Sequence, residues 1–387
     1  MNAGSAERGL ILLAAGTAAR RDAGRPRALA LATVVDWEQL AVTLHRRRLL
    51  PTLGPRIEDL CGGRTDDKFS AHVERALAQT RRQGAFLQLI SARITAALRD
   101  AGVRCAPLKG PGLSEALYGD PGRRLASDID LLVAPEQLVA ALTVVSGFGY
   151  GEPIDHVDED GVPELHFAVS HRSEELPPVE LHWRIHWYER RFAAERLLPP
   201  PGADPAWRPA AIDELAALLL FYARDGFVDL RLATDIGAFW DVRGAETRSA
   251  DFAALLSAYP PLRRPLLAAA VAAERVVGLP AADLLAATPS PDLRSRLAVR
   301  LANPNPSPRS RASQIHAAIG LVDGLLTPPG ELRDFVRRQI LLAPDHLDEQ
   351  AQKLSRSPRS QFGHGARTLA RIGFAGTRLA RPSEAVR

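Results

Sequence analysis

An α+β fold, with one small mixed sheet set between two helical regions, is what this sequence predicts. Three observations carry the prediction. Residues 8–100 and the residues beyond 211 place apolar side chains at helical spacing. Between residues 103 and 185 the texture changes to short apolar runs and short helical stretches, in the order strand, helix, strand, helix and then paired strands. A proline-rich passage from Leu198-Pro-Pro-Pro201 to Pro209 then separates this middle part from the helices that follow.

The elements follow in order. Gly9 to Ala15 is a short apolar stretch with Arg8 before it and Arg20 and Arg21 after it, which predicts an amphipathic helix rather than a secretory leader. Asp36 is an N-cap for a helix through Trp37, Leu40, Leu44 and Leu49, closed by Pro51. Phe69 to Leu98 holds no proline and one glycine, Gly84, and predicts a long helix. Val103 to Leu108 is a strand, and Gly110 and Pro111 open a helix to Leu117, with proline near the first helical position. Gly119-Asp-Pro-Gly122 is a turn, Ser127 to Val133 a strand and Pro135 to Val145 a helix. Leu165 to Ser170 and Val179 to Ile185 are two further strands. Ile212 to Ala223 is a helix with Asp213 and Glu214 at its positive end. Later helices are punctuated by Pro261, Pro280 and the break at 303–308. The expected organisation is a helical region at 1–100, a sheet-bearing core at 101–198, a linker at 199–210, a second helical region at 211–352 and a basic tail at 353–387.

Composition narrows the class. The 387 residues are 46% hydrophobic and 24% charged, which fits a globular protein and excludes disordered, collagen-like and coiled-coil chains. The net charge of +4 is unevenly spread: residues 353–387 carry +7, so the body carries −3. The basic average is a property of the tail, and a whole-surface nucleic-acid binder is not indicated. The tail, with Leu369, Ile372, Phe374 and Leu379 among arginines, has the composition of a membrane-surface segment, but Gly365, Gly373 and Gly376 weaken it as a helix and favour a solvated tail. Two cysteines, Cys61 and Cys105, make neither a disulfide framework nor a metal motif, which fits a reducing cytoplasm. No apolar run has the length of a membrane span. Only Lys68, Lys109 and Lys353 are lysines in a chain rich in arginine, so a lysine beside a candidate site stands out.

The chemistry lies in Leu108-Lys-Gly-Pro-Gly-Leu-Ser114 and Ser127-Asp-Ile-Asp-Leu-Leu-Val133. Alternation in a strand puts Asp128 and Asp130 on one face. Aspartate is a poor strand former, and two on one face repel each other unless a cation lies between them; magnesium, which takes oxygen ligands, suits them. Glu180, in Val179-Glu-Leu-His-Trp183, is placed to supply a third carboxylate from a neighbouring strand and complete a two-ion clamp. Lys109-Gly110 lies where a strand meets a helix, where a glycine admits close approach and helix N–H groups meet phosphate. Arg123 and Arg124 lie within reach of a triphosphate. His182 and His186 lack the helical zinc signature, because Trp183 follows the first, and His182 reads as a packing or positioning residue. Arg231 and Asp235 read as a surface pair four apart on a helix.

Lys-Gly, a short helix ending in Tyr118-Gly119, an arginine, then Ser-Asp-Ile-Asp-Leu-Leu-Val resembles the poorly characterised bacterial nucleotidyltransferases of the polymerase-β-like superfamily. Glu180-Leu-His-Trp183 is similar to that family's third-carboxylate strand, and Leu230-Arg231 with Asp235-Ile236 to its helical region. The resemblance implies a small mixed-sheet nucleotidyltransferase core with Asp128, Asp130 and Glu180 as metal ligands and catalytic carboxylates. It implies two Mg2+ ions, a nucleoside triphosphate donor, ATP foremost, and a small-molecule, peptide or protein acceptor. The superfamily has Gly-Ser where this chain has Lys109-Gly110, and Ser114 is the nearest serine. The expected nucleotide-binding set is therefore Lys109, Gly110, Ser114 and Arg124. The missing Gly-Ser pair also keeps open a catalytically degenerate protein of the same fold, acting as a binding or scaffold module.

Overall fold

The structure is a computed structural model, and it describes residues 3–153, 165–173, 175–204, 207–302 and 312–339. The basic tail at 353–387 and the break at 303–308 lie outside the described residues.

Five helices come first: α1 (Ala3–Ala15), α2 (Ala18–Ala32), α3 (Trp37–Arg46), α4 (Leu50–Cys61) and the long α5 (Asp67–Asp100). Helix α1 buries Ala6, Leu10, Ile11 and Ala14, the amphipathic pattern its sequence predicts. Asp36 caps α3 by accepting from the Gln39 N–H at 3.0 Å. At about 1.5 Å per residue α5 is roughly 50 Å long, and it runs alongside the sheet unit.

That unit contains β1 (Cys105–Pro107), α6 (Pro111–Tyr118), β2 (Ile129–Val133), α7 (Leu138–Gly147), β3 (Tyr150–Pro153), β4 (His166–His171) and β5 (Val179–His182). Eight further helices follow: α8 (Ala211–Arg224), α9 (Leu230–Arg243), α10 (Ser249–Ala258), α11 (Arg263–Val277), α12 (Ala281–Leu284), α13 (Leu293–Leu301), α14 (Ala312–Leu326) and α15 (Leu332–Gln339). No helix among the described residues is long and apolar enough to cross a membrane.

The sheet order is β1-β2-β5-β4-β3. Strands β2 and β5 are parallel, while the other neighbours are antiparallel, so the sheet is mixed as expected. Strand β3 was not expected: glycine and proline are poor strand formers, and pairing with β4 overrides that local preference at Gly151 and Pro153. Strand β2 starts at Ile129, two residues later than expected, and β5 stops at His182. There the Trp183 and Arg184 N–H groups both donate to the Leu165 carbonyl, which ends the ladder. Arg184 and His186 therefore do not continue the face of Glu180.

Strand pleating separates two environments. Ile129, Leu131, Val133, Phe167, Val169, Val179 and Leu181 pack with Leu87, Ile94 and Leu98 of α5 and with Ala141 and Val145 of α7. The other face presents Asp130, His166, Glu180 and His182 by the same alternation. On that face Leu132 joins a second, larger core built from both helical regions. The two helical regions thus share one core, and the sheet unit is seated against it.

The turn after α6 is docked on α5. The Thr80 hydroxyl donates to the Gly122 carbonyl at 2.6 Å, and a Cβ on Gly122 would lie 2.6 Å from the Arg81 backbone nitrogen. Only glycine permits that approach, and it fixes the segment that leads into β2.

Candidate active site

Three strands and one turn build the site. Parallel pairing of β2 with β5 sets Asp130 directly beside Glu180, and antiparallel pairing of β5 with β4 sets His182 beside His166. Since all four side chains point to one face, the register alone brings two carboxylates and two imidazoles together.

Asp130 is nearly buried, and its Oδ1 accepts from Lys109 Nζ at 3.1 Å and from His182 Nε2 at 2.9 Å. Burial alone would raise the Asp130 carboxyl. The His182 hydrogen bond and the Lys109 charge outweigh it and hold the group well below the usual carboxylate range. Glu180 Oε2 lies 3.2 Å from His182 Nε2 and 3.7 Å from His166 Nε2. The His182 hydrogen bond holds Glu180 low as well. The two imidazoles stack with centroids 4.5 Å apart. Their Nδ1 atoms are buried without hydrogen-bond partners, so the polar contacts of both rings lie on the Nε2 side.

Asp128 lies in the bend just before β2, half-buried. Burial raises its carboxyl, and the charges of Asp130 and Glu180 raise it further against the pull of Lys109. Three carboxylates thus share one lysine, an excess of negative charge and oxygen donors that fits a hard divalent cation.

Lys109 and Gly110 form the bend from β1 into α6. The Leu108 N–H donates to the Asp130 carbonyl at 3.1 Å, which holds this bend against β2. Lys109 is largely buried, and its ammonium lies 4.5 Å from the centroid of Phe221 in α8. Gly110 has φ +84° and ψ −155°, a conformation essentially confined to glycine. No atom lies within 4 Å of where its Cβ would be, so the constraint is the backbone and not the space. Gly110→Ala is therefore expected to destabilise the fold by about 1–3 kcal/mol, measured by urea denaturation.

The other expected residues are placed differently. The Ser114 hydroxyl donates to the Asp120 carbonyl at 2.7 Å and accepts from the Arg124 N–H at 2.9 Å, tying the turn to α6. Arg124 is buried, and its Nε donates to Asp235 of α9 at 2.8 Å, while the Tyr118 hydroxyl donates to the other Asp235 oxygen at 2.7 Å. Arg123 donates to the Thr52 carbonyl at 3.3 Å. The expected surface pair of Arg231 with Asp235 does not form. Asp235 is 1% exposed and holds Arg124, and Arg231 bonds Asp229 at 2.8 Å instead. Spacing of four on a helix made the two neighbours, but Asp235 faces the core and Arg231 the surface.

His166 is the site residue that the sequence reading passed over. Nothing in its local spacing marks it, and only the pairing of β4 with β5 puts it beside Glu180. A cavity of about 970 Å³ opens next to the site between β1, α6, α8 and α9. Lys109, Leu108, Leu113, Leu218 and Phe221 line it, with Trp207 and Arg208 at the linker side. Its volume is that of a small-molecule pocket.

A five-stranded mixed sheet between helical regions, with carboxylates on adjacent parallel strands, is the architecture of the nucleotidyltransferase class of α+β proteins. The chain belongs to the family described as uncharacterised nucleotidyltransferases, whose profile matches residues 33–278. That span takes in α3 to α5, the sheet unit and α8 to α11. Comparison with curated proteins and with solved structures finds no match.

Proposed function

We propose that the protein is a magnesium-dependent enzyme that moves a nucleoside monophosphate from a nucleoside triphosphate, ATP foremost, to an acceptor oxygen. The observation that carries this reading is the Asp130–Glu180 register, with Asp128 at the same edge. Asp128, Asp130 and Glu180 would hold two Mg2+ ions, and bound magnesium would supply Lewis-acid polarisation of the α-phosphoryl group. Lys109 offers its ammonium to the phosphates, and the Gly110 backbone lets them approach the start of α6. A bond forms between the acceptor oxygen and the α-phosphorus, the α–β bridging bond breaks, and pyrophosphate leaves. Ser114 and Arg124 serve the site through the turn they hold and through Asp235. The cavity beside Lys109 takes the acceptor, a small molecule or the side chain of a peptide or protein.

The test uses labelled ATP, GTP, CTP and UTP with magnesium and host extract as acceptor, with products read by mass spectrometry. Transfer with release of pyrophosphate is expected, and the folded Asp128→Ala/Asp130→Ala double variant should lose it. Full transfer by that variant would overturn the mechanism.

The Lys109–Asp130 pair favours a second reading, a non-catalytic binding module in which an internal ammonium serves as the cation. Calorimetry with magnesium and the four ribonucleotides separates the two, since nucleotide binding without product supports the module.

A further inference from the structure

We propose that His166, Glu180 and His182 form a binding site for a first-row transition-metal dication of the zinc type, adjoining the oxygen-only edge at Asp128. The site shares Asp130 and Glu180 with the proposed magnesium clamp, but its binding needs no nucleotide.

The donor set motivates the proposal. Magnesium takes oxygen ligands, so neither imidazole would be a ligand in the clamp of three carboxylates. Imidazole suits zinc, iron and copper. Here two imidazoles bring Nε2 to one oxygen, Glu180 Oε2, at 3.2 and 3.7 Å. Ligand atoms of all three residues lie within 4.8 Å of one another. Metal–ligand bonds of about 2.0–2.1 Å at tetrahedral angles separate neighbouring ligand atoms by roughly 3.3–3.4 Å. The two nitrogen–oxygen separations bracket that edge, and the imidazole nitrogens lie within 4.8 Å of each other. Asp130 Oδ1, 2.9 Å from His182 Nε2, supplies a fourth donor.

The charge is also suited. Two carboxylates neutralise one dication, and Val179 and Leu181, which alternate with the ligands along β5, pack in the apolar core on the opposite face and anchor the strand. The register makes the geometry rigid: His182 stands opposite His166 across one ladder, and Glu180 stands opposite Asp130 across the other. A site held by three paired strands loses little entropy when the ion binds.

Zinc and cobalt binding to the full chain, with no nucleotide present, tests this. Equilibrium dialysis should give one Zn2+ per folded protein. His166→Gln, at the more exposed of the two imidazoles, should weaken it at least about tenfold. Asp128→Asn should leave it within about twofold, because that carboxylate belongs to the oxygen-only edge. Cobalt bound to the wild-type protein should show the strong visible bands of a four- or five-coordinate nitrogen-containing site. Three results would each overturn the proposal: no stoichiometric zinc on the folded chain, equal zinc affinity in folded His166→Gln, or the weak spectrum of six-coordinate oxygen-ligated cobalt. The cobalt measurement needs no variant, so it decides the matter even if His166→Gln fails to fold. Loss of zinc binding in Asp128→Asn equal to that in His166→Gln would place the ion on the carboxylates and overturn it too. A failure here leaves the nucleotidyl-transfer reading standing, because that reading is tested by labelled product.

Discussion

Asp128→Asn is expected to lower nucleotidyl transfer by about a thousandfold while leaving the folded protein at least as stable as the wild type. The first effect follows from the loss of one ionised ligand at the clamp, where several kcal/mol of transition-state stabilisation are at stake and each 1.36 kcal/mol is tenfold in rate. The second follows from electrostatics. Burial and the neighbouring Asp130 and Glu180 raise the Asp128 carboxyl, so its charged form is disfavoured in the folded state. A group raised on folding costs stability when ionised, so the gain from Asn is full above the folded-state pKa. It shrinks as pH falls through that folded-state pKa and is gone below the ordinary aspartate value of 3.8. Urea midpoints at pH 7 and pH 3 check the stability, and pyrophosphate release checks the transfer. A variant that is both inactive and markedly less stable at pH 7 would show that Asp128 is a structural residue.

Asp235→Ala is expected to cost about 3–5 kcal/mol of stability. Asp235 is buried between Arg124 and Tyr118, and its removal leaves a buried guanidinium without its partner and a buried hydroxyl without its acceptor. That guanidinium belongs to the segment leading into β2, and Asp235 belongs to α9, so the pair joins the sheet unit to the second helical region. Arg231→Ala, by contrast, removes a partly exposed contact with Asp229 and should cost no more than about 1 kcal/mol. Equal losses in the two variants, compared by chemical denaturation, would refute the buried-pair assignment.

What was legible in the sequence divides by the range of the interaction. The placement of Asp130 beside Glu180 was readable because a strand has a period of two and carboxylates are out of place in it, while Asp128, expected in the same strand, lies in the bend just before it. The Lys109-Gly110 bend was readable because glycine and proline mark backbone conformations locally, and the φ of +84° at Gly110 bears out the need for glycine there. The long helix α5 followed from an unbroken stretch of good helix formers. His166 was not readable, because its place depends on which strand pairs with β5. The partner of Asp235 was hidden for the same reason: Arg124 lies 111 residues away in sequence. Strand β3 was lost to Gly151 and Pro153, whose weak propensity is offset by pairing with β4.

The shared helical core has a consequence for synthesis. The Thr17 N–H donates to the Val277 carbonyl at 2.8 Å, and the Arg20 guanidinium donates to the Arg275 carbonyl at 3.1 Å. The partners of the first two helices are thus translated about 250 residues after them. At roughly 5–20 residues per second that interval is on the order of 10–50 s. For that time α1 and α2 can pack on each other and on α4, but they lack the α9 surface that completes their cover, and α1 lacks that of α11 as well. The sheet unit, made of closer-spaced contacts, is complete well before. The nascent chain therefore passes through a stage in which its sheet is finished and its first helices await closure, and that stage is where chaperone dependence is to be expected.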